Sequence, residues 1–157
     1  MNDIDFTDSG KVLELLSRIF PTQPVPVLPK NMLGMDDPER VYLFFNQKTW
    51  LELATDFSLT AHAYAADLGV TFLRRGALAY YAPFYIYASI VNNGWTYEDG
   101  FLDFLFPAYS YADEFMDIFF TFPEDQLKVI AQFVKFECSR GEEKAERALR
   151  DFWGMYI

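Results

Sequence analysis

The sequence predicts an all-α protein: one domain, built as a bundle of about 6–8 helices around a central apolar helix over roughly residues 71–92. Three observations carry that expectation. Apolar residues recur at three- and four-residue spacing along most of the chain, and no alternating pattern longer than a few residues marks a strand. Capping residues, prolines and glycines punctuate these runs from end to end. With 157 residues, 52% of them apolar, the chain can fill one core and bury roughly 70% of its unfolded surface.

In order, residues 9–20 place Val12, Leu15, Leu16, Ile19 and Phe20 on one helical face, with Asp8 or Ser9 as cap and Pro21 as stop. Residues 21–37, with Pro24, Pro26, Pro29 and Gly34, form a long Pro-rich connection. Its Val25, Val27, Leu28, Met32, Leu33 and Met35 predict that it lies packed over the core. Asp37-Pro38 opens a helix through Phe45 or Asn46, the carboxylate capping and the proline taking the first helical position. Residues 49–53 add another helical turn, with Trp50 as a core anchor. Ser58 or Thr60 caps a short helix through Asp67, which Gly69 terminates.

Thr71 opens the next element, which runs into the apolar segment. Pro83 cannot donate to the carbonyl of Ala79, so the helix kinks there or restarts with Pro83 in its first turn. Asn93-Gly94 ends it. Thr96-Tyr97-Glu98-Asp99 reads as a capping box with Asp in place of Glu, after which Phe101, Phe104 and Leu105 share a face. Residues 109–120 form another helix, with Ala112, Phe115, Met116 and Phe119 inward. Thr121-Phe122-Pro123-Glu124 reads as a second capping box, opening a helix to about Ser139 whose stripe is Leu127, Ile130, Ala131, Val134 and Cys138. Gly141 breaks it, and a last helix over residues 142–153 carries the pairs Glu143–Arg147 and Glu146–Arg150.

Charge is distributed far less evenly than helix signals. From Gly76 to Leu127 there is no Lys or Arg, while eight carboxylates and sixteen of the 30 aromatic residues fall there, so −8 of the chain's net −10 is local. An acidic chain is a poor binder of nucleic acid, because phosphate contacts need Lys and Arg, and it favours a basic partner. Gly76–Tyr97 follows Arg74-Arg75 without a charge, as a membrane span would. Its continuous apolar part ends at Asn92, short of the ~20 residues a span needs, and its tyrosine hydroxyls would lie in hydrocarbon, so a buried core helix is expected and no membrane contact. Cys138 is the single cysteine, and Met1–Asp5 lacks the basic and apolar regions of a signal peptide; both predict a cytoplasmic protein.

No catalytic pattern emerges. Asp113 and Asp117 stand one helical turn apart with Glu98, Asp99 and Asp103 nearby, but they have no calcium-loop spacing and no accompanying His, so a solvated helix face accounts for them and neither a metal nor a cofactor is expected. Cys138 and His62, sole members of their kinds, read as a buried thiol and a packed or hydrogen-bonded histidine. Phosphate-loop, dinucleotide and nucleophile-elbow motifs are missing, so no enzyme is expected. Tyr80, Tyr81, Tyr85 and Tyr87 read as core and inter-helix contacts. Trp95, Tyr97, Tyr109 and Tyr111 sit at helix ends beside acids, as the aromatic anchors of interfaces do.

At Tyr80-Tyr81-Ala82-Pro83-Phe84, and again from Phe122-Pro123-Glu124-Asp125-Gln126 through Phe133-Val134, the chain resembles a family of small bacterial helical proteins of unknown function. The resemblance covers roughly residues 40–138 and joins an aromatic pair plus proline in a central helix to a later helix opening with Pro-Glu and Gln; Ala82 stands where leucine is expected. Proteins of this size, charge and architecture are similar to the immunity partners encoded beside secreted antibacterial toxins. That likeness implies binding to a cognate toxin with a basic surface. The surface so implied comprises Trp95, Tyr97, Glu98, Asp99, Asp103, Tyr109, Tyr111, Asp113, Glu114 and Asp117. Two other readings stand beside it: a helical protein that binds a metal or small ligand, and a homodimeric regulatory or scaffold module.

Overall fold

The computed structural model describes the backbone of residues 1–92, 101–105 and 112–157, and their side chains apart from those of residues 102, 103 and 112–115. Helix is the regular structure throughout, and the described residues contain no strand. The helices are α1 (Ser9–Ile19), α2 (Asp36–Phe45), α3 (Trp50–Asp56), α4 (Leu59–Phe72), α5 (Arg75–Tyr80), α6 (Ala82–Val91), α7 (Phe101–Leu105), α8 (Ala112–Phe119), α9 (Glu124–Ser139) and α10 (Glu143–Asp151). Short 3₁₀ turns at Lys30–Met32 and Trp153–Tyr156 complete them. The elements outnumber the expected ones because the apolar stretch over residues 71–92 is not a single helix. It comprises the end of α4, then α5, then α6, with breaks at Leu73-Arg74 and at Tyr81. Pro83 has no N–H to offer Ala79, and the chain restarts with it in the first turn of α6.

Helix α6 is the axis of the core. Phe84, Tyr85, Ile86, Ala88 and Ser89 are fully buried on it, which is why it can carry no charge. Three tyrosines in this region each give their hydroxyl to a backbone carbonyl of a different element. Tyr80 donates to Thr22 of the Pro-rich connection at 2.7 Å. The Tyr81 hydroxyl lies 2.9 Å from the Phe45 carbonyl and 2.8 Å from that of Lys48, closing the end of α2. Tyr85 donates to Ala66 in the middle of α4 at 2.5 Å. Around them the rings form a continuous relay. Phe45 meets Tyr81 at 4.7 Å, Tyr85 stacks on Phe101 at 4.9 Å, Phe101 meets Phe133 of α9 at 6.4 Å, and Phe133 meets Phe6 at 6.0 Å.

Sequence signals at α1, at Trp50 and at the end of α9 hold. The Lys11 amide donates to Asp8 at 3.1 Å, Trp50 is fully buried, and Gly141 leaves α9 with φ of +87°. Others are displaced. Asp37 lies inside the first turn of α2, where with Asp36 and Glu39 it complements the helix dipole instead of capping. Thr121 donates back to the Ile118 carbonyl at 2.7 Å and finishes α8, so Pro123 stands uncapped at the head of α9. A capping box does occur at Thr49 and Glu52, with reciprocal bonds of 3.1 and 2.7 Å at the head of α3. In the connection, Leu28 and Met32 are buried, the latter in the 3₁₀ turn, and Val25 is half-buried, whereas Val27 (95% exposed), Leu33 and Met35 face outward.

Gly69 does not end α4; it is buried within it. A side chain there would meet the Tyr85 hydroxyl and, at 2.7 and 2.9 Å, the Phe45 ring, so glycine is what lets α4 approach α2 and α6. Gly69→Ala should therefore lower stability by about 1–3 kcal/mol in urea unfolding, as overpacking of a fixed core does. A neutral or stabilising result, as helix propensity alone predicts, would show that the core yields at this point.

Candidate functional site

Of the ten residues the sequence assigns to a binding surface, Asp117 is the one whose side chain lies within the described residues. Trp95, Tyr97, Glu98, Asp99, Tyr109 and Tyr111 lie outside them. So do the side chains of Asp103 on α7 and of Asp113 and Glu114 on α8. Asp117 is exposed, one turn beyond Asp113 on α8, and it makes no ion pair among the described residues. Met116 packs against the core and Phe119 is fully buried, so α8 turns the opposite side outward, as its periodicity predicts.

The described edge of this surface continues past Asp117. Phe120 is 57% exposed three residues on, and Glu124 and Asp125 are exposed at the head of α9. No basic residue occupies the last turn of α8, so the negative end of its dipole and Asp117 add without a cation on the same helix to offset them. Lys128 reaches Glu124 at 2.6 Å and holds that carboxyl below the usual carboxylate range. Beside this edge is an apolar hollow of about 210 Å³, lined by Phe20, Pro21, Gly76, Ala79, Tyr80, Phe122 and Gln126. The Gln126 side chain is tied down by donating to the Ile19 carbonyl at 3.1 Å. The acidic edge, the outward aromatic ring and the small apolar hollow are the parts from which a protein interface is assembled.

Nucleophilic chemistry gains nothing from the fold. Cys138 is half-buried on α9. His62 accepts the Ser58 amide N–H on Nδ1 at 3.0 Å, with its ring centred 5.5 Å from Phe44 and 6.0 Å from Phe57. His62, Lys48, Glu52 and Asp56 line a polar cleft of about 260 Å³. Glu52 is committed to the capping box, where the Thr49 amide lowers its pKa. Among the described residues no three His, Cys, Asp or Glu side chains are grouped to hold a metal. None of the described helices is long and apolar enough to cross a membrane.

One group escaped the apolar-stripe reading of α9. Glu137 is fully buried, its neighbours along the helix being Phe133 and Val134. The signal was present: steps of three and four from Ile130 through Val134 fall on 137 as readily as on 138.

No family model, curated protein or solved structure matches this chain.

Because Asp117 is exposed and makes no ion pair among the described residues, Asp117→Lys should change folding stability by no more than about 0.5 kcal/mol, measured by chemical denaturation. A larger loss would show that the carboxylate braces the fold and is not part of a free surface.

Proposed function

We propose that this protein is an immunity protein: it binds a cognate antibacterial toxin domain and blocks its active site through the acidic, aromatic surface of residues 94–125. The observation that carries the reading is the segregation of charge. Eight carboxylates occupy a stretch without one Lys or Arg, and its described edge presents Asp117 and Asp125 to solvent beside the exposed ring of Phe120. A toxin domain that acts on nucleic acid has a basic cleft, and such a cleft is the complement of this surface. Carboxylates supply attraction and speed of capture, while the rings of Trp95, Tyr97, Tyr109, Tyr111 and Phe120 supply desolvated contact area. On this reading the protein is not an enzyme, holds no cofactor, and acts in the cytoplasm, where its lone cysteine stays reduced.

The test is coexpression with the product of the gene adjacent to its own, with co-purification and rescue of growth as readouts. The proposal requires a stoichiometric complex and protection from toxicity. The double variant Asp113→Lys, Asp117→Lys should lower the association rate by roughly tenfold at low salt and flatten its salt dependence. Stopped-flow rates that match the unaltered protein at every salt concentration would remove the acidic surface from the mechanism.

A further inference from the structure

Glu137 has no exposed surface and sits where α9 turns into α10. Its backbone carbonyl takes the Arg140 amide at 3.1 Å and the Glu142 amide at 3.3 Å, so the residue lies at the pivot of the α9–α10 hairpin. Its Oε1 accepts a long bond of 3.4 Å from Arg140 Nη1, and its Oε2 has no hydrogen-bond partner among the described residues. A buried carboxylate satisfied at one oxygen is poorly compensated: the ionised form forgoes water at Oε2 and gains a single stretched contact in exchange. The neutral acid avoids most of that penalty.

What the hairpin holds in place gives this pivot its consequence. Ala145 and Ala148 are buried on α10, which packs against α9 and α7. Beyond them Phe152 and Trp153 are buried, and the Trp153 indole N–H donates to the Leu105 carbonyl of α7 at 2.5 Å. The same indole meets Phe119 of α8 at 5.2 Å. Docking of the C-terminal unit therefore fixes α7 and α8, the two short helices that carry Asp103, Asp113 and Asp117.

We propose that Glu137 is a proton-operated latch: protonated, it lets α10 and Trp153 dock firmly on α9 and α7, and ionised, it loosens that docking. The charged groups acting on it are Arg140 of its own helix and Glu142 at the head of α10. The 3₁₀ turn packed on α9 has no charged side chain, and α7 carries Asp103, which lies outside the described side chains. Burial pushes the Glu137 carboxyl up to about 7, against the downward pull of Arg140 and with an added push from Glu142. The folded value lies above the unfolded one, so the docked state binds the extra proton. Its advantage is complete at low pH and is lost as pH rises through neutrality.

The measurement is amide and indole hydrogen exchange on the full chain, expressed as protection factors to remove the intrinsic pH dependence of exchange. A carboxyl at about 7 when docked and at its ordinary 4.5 when undocked gives about a tenfold rise in the undocked population from about pH 6 to about pH 8. Protection at Ala145, Ala148 and the Trp153 indole should fall by about that factor, with α1 unchanged. Glu137→Gln should abolish the fall, Glu142→Gln should move its midpoint to lower pH, and His62→Gln should leave it in place. The unaltered chain decides the matter even if a variant does not fold. Equal protection at the two pH values, or a fall shared equally by α1, overturns the latch. This result is independent of whether any toxin is bound, so the latch and the immunity reading can fail separately.

Discussion

Burying the charge-free, tyrosine-rich stretch of residues 76–92 is the constraint from which the architecture follows. A phenol hydroxyl removed from water without a partner is costly, so each buried tyrosine must reach an acceptor. Tyr80, Tyr81 and Tyr85 reach theirs on the Pro-rich connection, on the end of α2 and on the middle of α4. Three otherwise separate segments are thereby located against the central helices. Burial also pushes the Tyr81 phenol up, so it stays a neutral donor at any ordinary pH. The acceptors are backbone carbonyls, and two of them, on Phe45 and Lys48, lie where α2 runs out of intrahelical partners. One set of bonds thus satisfies both the tyrosines and a helix terminus.

The same constraint explains which signals could be read in advance. Local, self-contained ones were legible: the Asp8 cap, the apolar stripe of α9 and the helix break at Gly141 depend on a few neighbouring residues. Signals that depend on distant partners were not. Gly69 looks in sequence like a helix stop, and its role as a contact point for Phe45 and Tyr85 requires knowing that α2 and α6 cross there. Thr121 fits a capping box on paper, but its hydroxyl donates to the Ile118 carbonyl at the end of α8, and Pro123 is the residue at the head of α9. In the connection, apolar content predicts that the segment packs over the core but not which side chains do so: Leu28 and Met32 are buried, and Val27, Leu33 and Met35 are not.

For the candidate surface, charge was legible and geometry was not. A run of eight carboxylates without a cation is visible in any reading of the sequence. Asp117 is exposed, and Phe120, exposed three residues on, has no counterpart among the residues the charge pattern points to. Glu137 was overlooked for the opposite reason. A lone glutamate between apolar residues reads as the polar side of a helix, yet the outward stripe of α9 runs through Glu124, Lys128, Gln132, Lys135 and Ser139, and Glu137 falls on the opposite, buried face.

The placement of the cations decides how strongly the acidic surface acts at a distance. Lys11 pairs with Asp8, Lys128 with Glu124, Arg147 with Glu143 and Arg150 with Asp151, all within four residues along the chain. Arg40, Lys48 and Arg75 lie over the rings of Tyr64, Phe44 and Phe104. Each surface pair contributes little stability, about 0–1 kcal/mol, but each spends its cation on a neighbour. At physiological salt a charge is felt over about 8 Å, so a cation committed to its own turn of helix does little for carboxylates several turns away. Net charge is therefore a poor measure of this protein. Eight of its carboxylates lie in a stretch without Lys or Arg, and among the described residues two cations from outside reach that stretch, Lys128 at Glu124 and Arg75 over the Phe104 ring.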